Sequence, residues 1–369
     1  MAIIKHGLQG PLCSCSYAHE HDGTFCSTPA TRIFQGAFQS VGLAVLLLSA
    51  CAAPYVQPPA TNDSVPSLND RYAVMSDSYR LPLRRWKPIG NSRAVVLAIH
   101  GLNDYSNAFA STGEYLAARG ITLLAYDQRG FGATNAQGLW HGTRQLVNDA
   151  RSMTRLIKQS YPDQPLYLIG ESMGGGVILA LLAQYRPDID GIILLAPAVW
   201  SRNSMLIYQR FALWLAAHTI PSKQLTGKGL GIRPSDNTDM LRALGRDLLV
   251  IKATRVDVLY GVSNLMDAAV KGAPSVNYEM LILYGKNDEI IPKKPTCNWL
   301  RNLADGAHTA HWDAIVYNHG YHMLTRDLQA TIVLEDIADW ILGGRKAARH
   351  PNTRDIQESV HSFCAARNS

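Results

Sequence analysis

Six short, continuously apolar runs recur along this chain, each separated from the next by a longer and more polar segment. They fall within 93–100, 121–126, 166–169, 189–195, 280–284 and 314–317, bounded by Gly, Pro, Asp or Asn. Runs without polar alternation suit strands buried on both faces, and strands alternating with helices build a parallel sheet. The segments near 112–119, 143–160, 173–184, 292–303 and 327–342 are read as the covering helices. The fold class expected is α/β, with a mostly parallel central sheet flanked by helices.

The strand rhythm lapses between 200 and 277, where an apolar helical stretch is followed by a Gly- and Pro-rich one. This is read as a lid insertion between two parts of one core, 80–199 and 278–342. Segment 343–369 has little apolar content and is expected to fray. With 369 residues, 47% hydrophobic and 17% charged, the composition is that of a globular protein. The formal charge is +6, yet Lys and Arg are scattered, which argues against nucleic-acid binding. No stretch approaches the roughly 20 apolar residues that a membrane-spanning helix needs.

The apolar run 41–50 is too short to span a bilayer and has the length of a signal-peptide h-region, with Arg32 upstream. It runs into Leu48-Ser49-Ala50-Cys51, which resembles the lipobox of bacterial lipoproteins. The resemblance implies a signal segment over 1–51 and a mature chain starting at lipidated Cys51. With Ala52 behind the cysteine, it implies attachment to the cell envelope, at the outer membrane in a Gram-negative cell. The competing reading of 41–50 is a buried helical turn or an apolar pro-segment. Residues 52–79, with Pro54, Pro58, Pro59 and Pro66, read as a flexible tether. Six cysteines in this length are no disulfide framework, and Cys13, Cys15 and Cys26 lack the paired spacing of a zinc site. Whether Cys297 and Cys364 pair is left open.

The run 166–169 leads into Gly170-Glu171-Ser172-Met173-Gly174 and then into a helical stretch. A serine between glycines at a strand-to-helix turn projects its hydroxyl from a strained backbone, beside a helix N-terminus that favours negative charge. Ser172 is therefore the candidate nucleophile. Its hydroxyl needs a base to take the proton, and the base needs an acid to hold its tautomer. Asp288 follows the run 280–284, beyond a strand's C-terminal end, where sites of open α/β sheets lie. Its neighbour Glu289 could be confused with it. The loop after 314–317 holds His319 and His322, and His322, deeper in the loop, is preferred as base. The amides of Leu102, after His100-Gly101, and Met173, after the nucleophile, are the candidate oxyanion-hole donors. The pairs His308/His311 and His319/His322 have i, i+3 spacing, but no carboxylate or cysteine pattern completes a metal site.

Together with Asp127-Gln128-Arg129-Gly130-Phe131-Gly132 and Gly285-x-x-Asp288 before Ile291-Pro292, these motifs make residues 80–342 resemble the α/β-hydrolase superfamily. Within it they are similar to the monoacylglycerol lipase and lysophospholipase group, which is also grouped with serine aminopeptidases. The resemblance implies an α/β-hydrolase fold with a helical lid, no cofactor or metal, and hydrolysis of small amphiphilic esters through an acyl-serine intermediate. It implies that Phe211, Leu213, Trp214 and Leu215 line an acyl channel. The sequence departs from the group at Asn103-Asp104, where Gly-Glu is usual, and at Thr134, where Ser is usual. Two readings compete. One is an aminopeptidase holding a substrate amine with Asp236, Asp239 or Asp257, and the other is a catalytically silent envelope scaffold. The partners expected are a small amphiphilic ester and a membrane surface reached through the lipid anchor. The sequence leaves the oligomeric state open.

Overall fold

Strands β1 (Ser67–Leu68), β2 (Tyr72–Val74), β3 (Arg80–Trp86), β4 (Ala94–Ile99), β5 (Ile121–Tyr126), β6 (Leu166–Glu171) and β7 (Gly191–Leu195) come first in the chain. A small pair, β8 (Gln224–Leu225) and β9 (Thr254–Arg255), precedes β10 (Met280–Gly285), β11 (Trp312–Tyr317) and β12 (Gln357–Glu358). The computed structural model describes residues 53–272, 277–304, 312–344, 357–358 and 360–365, so Cys51, the segment before it and the pair His308/His311 lie outside the described residues. The main sheet has the order β1-β2-β3-β5-β4-β6-β7-β10-β11-β12. Its six central strands run parallel, and antiparallel strands close both edges. Every residue of β4, β5, β7 and β10 is buried, as continuous apolar runs require of strands covered on both faces.

The helices are α1 (Ala110–Ala117), α2 (Thr143–Ser160), α3 (Met173–Leu182), α4 (Ile207–Thr219), α5 (Thr238–Arg246), α6 (Val256–Gly272), α7 (Lys293–Ala304), α8 (Ala330–Gly343) and α9 (Val360–Ala365). One face of the sheet packs with α2, α3, α6 and α7, and the other with α1 and α8. The expected insertion over 200–277 is thereby shortened. Helix α6 buries Val258, Val262, Leu265, Met266 and Ala269 in the core and packs along α3, so only about 200–255 forms a cap.

Both ends of the domain hold more structure than expected. The tether over 52–79 contributes β1 and β2, and β2 pairs with β3 in the register Ala73↔Leu81. The tail, expected to fray, adds β12 to the edge of β11 and buries Phe363 beside Tyr284, with ring centroids 5.4 Å apart. A disulfide joins Cys297 of α7 to Cys364 of α9 across a sequence separation of 67. Such a link restricts the unfolded chain, and a loop of this length is worth roughly 2–4 kcal/mol. Cys364→Ser is therefore expected to lower the melting temperature by roughly 5–10 °C. Calorimetry under non-reducing conditions checks this, and an unchanged transition would mean that the disulfide contributes nothing to stability.

Candidate active site

The parallel register aligns the C-terminal ends of the strands. Ile99 of β4 lies opposite Gly170 of β6, Glu171 opposite Leu195, Leu195 opposite Leu283, and Gly285 opposite Tyr317. The loops carrying Leu102, Ser172, Asp288 and His322 all leave from this edge, where an open α/β sheet leaves a crevice for chemistry.

Ser172 sits between β6 and α3 at φ 50°, ψ −112°, a conformation that side chains with a Cβ rarely adopt. The turn is possible because its flanking residues are glycines. A Cβ on Gly174 would lie 1.9 Å from the Ile99 carbonyl oxygen, and one on Gly170 would lie 2.5 Å from the Gly175 nitrogen. The backbone is held by its own bonds: Ser172 N–H donates to the Leu195 carbonyl at 2.9 Å, and the Ser172 carbonyl accepts from Gly176 and Ala198. The hydroxyl does not cap α3.

His322 Nδ1 lies 2.8 Å from Asp288 Oδ2, and both residues are buried. The other Asp288 oxygen accepts the amides of Ile290 and Ile291 at 2.8 and 3.0 Å, which fixes the carboxylate. Because the carboxylate accepts at Nδ1, Nε2 is the nitrogen left for a reacting proton. Burial alone would pull His322 below the usual imidazole range, but the Asp288 charge and hydrogen bond overcome it and hold the imidazole above that range. His319 takes no part in this pair. The Ser172 hydroxyl donates to no protein group among the described residues, a looseness common before a substrate draws nucleophile and base together.

The loop after β4 passes beside the nucleophile: a Cβ on Gly101 would touch Ser172 Cβ at 3.5 Å. Buried His100 fixes this loop. Its Nδ1–H donates to the Gly101 carbonyl at 2.8 Å, while Nε2 accepts the Gln128 amide at 2.9 Å. Gln128 returns a bond from its side chain to the His100 carbonyl at 2.8 Å. Burial keeps the His100 pKa below its usual value, so the ring stays neutral as this pattern requires. The amides of Leu102 and Met173 have no acceptor among the described residues, which leaves both free to bind a developing oxyanion. Asn103 follows at φ 67°, which explains the departure from Gly: Asn is among the few residues that tolerate this region. At the second departure, the Thr134 hydroxyl bonds the Phe131 carbonyl at 2.7 Å, within the chemistry of the usual Ser.

Three residues at the site were not found from the sequence. Arg326, four positions after His322 and with its side chain only 8% exposed, donates to Asp104 Oδ2 at 2.7 Å and to Glu171 Oε1 at 2.8 Å. One guanidinium so joins the histidine loop, the first loop and the turn that presents Ser172. The cap grips the same loops. Met323 N–H donates to the Pro234 carbonyl at 3.0 Å, Ser235 Oγ to Asp327 at 2.6 Å, and Asn237 Nδ2 to the Arg326 carbonyl at 3.0 Å. On the other side, Ile251 N–H donates to the Asn103 carbonyl and Asn103 Nδ2 to Thr254 at 2.7 Å. Among the described residues, no group of three or more His, Cys, Asp or Glu is placed to hold a metal ion.

A doubly covered parallel sheet, a serine at a strained strand-to-helix turn and an Asp–His pair at the same sheet edge define an α/β hydrolase. Over residues 90–329 the chain matches the serine aminopeptidase S33 family, and it belongs to that family. It is 24% identical to the mouse monoglyceride lipase over 290 residues, covering 77% of this chain and 94% of the lipase. It is also 24% identical to the monoacylglycerol lipase of Mycolicibacterium smegmatis over 265 residues, covering 70% and 91% respectively. Its fold is shared with a soluble variant of monoglyceride lipase from Saccharomyces cerevisiae, solved with a substrate analogue. There the TM-score is 0.63 at 20% identity, over 80% of this chain and 99% of that one.

Proposed function

We propose that this chain is a serine hydrolase of carboxylic esters of the monoacylglycerol or lysophospholipid type. The observation that carries the reading is the Asp288–His322 bond at the sheet edge that also presents Ser172. In the reaction, Ser172 Oγ attacks the ester carbonyl carbon while His322 Nε2 takes its proton. The Leu102 and Met173 amides receive the carbonyl oxygen as it becomes negative. The intermediate collapses, the C–O bond to the alcohol breaks, and His322 returns the proton to the leaving oxygen. Water then repeats the sequence on the acyl-serine. Asp288 supports this cycle by favouring the protonated imidazole formed at each step.

The cap favours an amphiphile over a peptide. Of Phe211, Leu213, Trp214 and Leu215, expected to line a channel, Leu213 is half-buried and the other three are exposed on α4 with Ile207 and Tyr208, an apolar surface suited to lipid aggregates. The carboxylates that an aminopeptidase would offer to a substrate amine are already engaged. Asp257 is held by Arg255, Asp239 by Arg242, and Asp236 accepts the Leu328 amide. Turnover of p-nitrophenyl acyl esters, monoacylglycerol and lysophosphatidylcholine beside an aminoacyl anilide tests the choice. Ester turnover is expected; anilide turnover alone would move the assignment to a peptidase.

We further propose that the chain is anchored to the bacterial cell envelope through lipidated Cys51. The lipobox-like Leu48-Ser49-Ala50-Cys51 supports this, and the Cys297–Cys364 disulfide is in keeping with an oxidising compartment outside the cytoplasm. Cys51→Ser is expected to move the protein from the membrane to the soluble fraction, and unchanged fractionation would remove the anchor from the proposal.

A further inference from the structure

Away from the catalytic edge, the outer face of α2 and the chain that follows α3 border a cavity of about 950 Å³. Its wall carries Arg151, Arg155 and Lys158 from α2 and Arg186 from beyond α3, with Asp188 as its one carboxylate. Ser172 precedes α3 and Arg186 follows it, so ten helical residues, about 15 Å of axis, separate this cavity from the nucleophile.

Arg151, Arg155 and Lys158 are spaced i, i+4 and i+7, so they share one face of α2. Like charges at this spacing repel and weaken a helix, so the array gains from an anion placed between them. The acidic side chain of α2 does not serve that purpose, because Asp149 is buried and held by Arg129. Neither Arg151 nor Arg155 has a carboxylate partner among the described residues, and Lys158 reaches the largely exposed Asp188 only at 3.8 Å. Two of the guanidinium groups are nevertheless held in place. Arg151 lies 4.1 Å over the Tyr185 ring, and Arg186 Nη1 donates to the Leu182 and Tyr185 carbonyls at 2.5 and 3.2 Å. Asn148 and Ser152 add neutral donors on the α2 side.

We propose that this cavity is a binding site for a phosphate-type oxyanion, free or carried on a lipid headgroup. Planar guanidinium forks match the oxygens of such a group, and cations fixed by a ring or by helix-end carbonyls lose little freedom on binding it. The volume is that of a ligand pocket rather than of a single-ion contact. The site stands apart from the hydrolase chemistry and does not depend on it.

The test is calorimetric titration of the full chain with inorganic phosphate and pyrophosphate at 50 and 300 mM NaCl, beside an Arg151→Gln/Arg155→Gln variant. Flotation of both proteins with phosphatidylcholine vesicles, with and without phosphatidic acid, forms the second arm. Saturable binding that weakens at least tenfold in the variant and falls with salt supports the site. Restricted to the soluble anions, it assigns a free phosphate-type ligand. A variant-sensitive gain in flotation with phosphatidic acid assigns the lipid headgroup. Equal heats and equal flotation for the two proteins would overturn the proposal. Both residues are exposed and far from Ser172, so ester turnover and melting temperature are expected to stay the same in the variant.

Discussion

Ser172→Ala is expected to lower kcat for ester hydrolysis by about 10⁴-fold or more while leaving the melting temperature within about 1 °C. The two halves of this expectation rest on different observations. The loss is large because the Asp288–His322 pair moves a proton but cannot itself form an acyl intermediate; without the hydroxyl, only binding and the oxyanion donors remain. The fold is spared because that hydroxyl does not cap α3. The strained backbone is held by main-chain bonds to Leu195, Gly176 and Ala198, which alanine keeps. Steady-state turnover of a p-nitrophenyl ester, with calorimetry on the same samples, measures both. Turnover within tenfold of the parent chain would remove Ser172 from the reaction, and with it the serine-hydrolase reading.

The residues of this reaction were legible because each is announced locally. Ser172 stands in a glycine-flanked turn between an apolar run and a helix, and Asp288 and His322 each follow a run that becomes a strand. The network behind them has no local signal. Arg326 meets Asp104 and Glu171 across separations of 222 and 155 residues, and nothing in the sequence pairs a charge with a partner so distant. The same holds for Cys297 and Cys364, and for β12, a two-residue strand placed by the edge of β11 and the disulfide rather than by its own pattern. Helix α6 is a different case. Val258, Val262, Leu265, Met266 and Ala269 have the i, i+4, i+7 spacing of a helix facing a core, so a signal separating α6 from the cap was present. The lapse in strand rhythm masked it, because α6 follows the two-residue β9 of the small pair rather than a strand of the main sheet.

The long-range network carries the second large effect. Arg326→Gln leaves the Asp104 and Glu171 carboxylates buried without their cation, a change expected to cost about 3–5 kcal/mol of stability. Removing the charges together, as Asp104→Asn/Glu171→Gln/Arg326→Gln, should recover most of that loss, since neutral groups of similar shape need no counter-ion. Stability alone would make the network a strut, whereas its charges also bear on the base. Burial pulls the His322 pKa down and Asp288 pushes it up; Glu171 adds to the rise and Arg326 opposes it. Only neutral His322 can take the serine proton, so kcat/KM increases as pH rises through that pKa. Loss of the Arg326 cation therefore moves the acid limb of the profile to higher pH. Glu171→Gln, which removes the opposing charge, moves it to lower pH. Opposite displacements are the mark of electrostatic coupling, because misfolding or loosening of the loops would reduce turnover without sending the two limbs apart. Limbs that coincide with the parent profile in both variants would confine Arg326 to holding the loops in place.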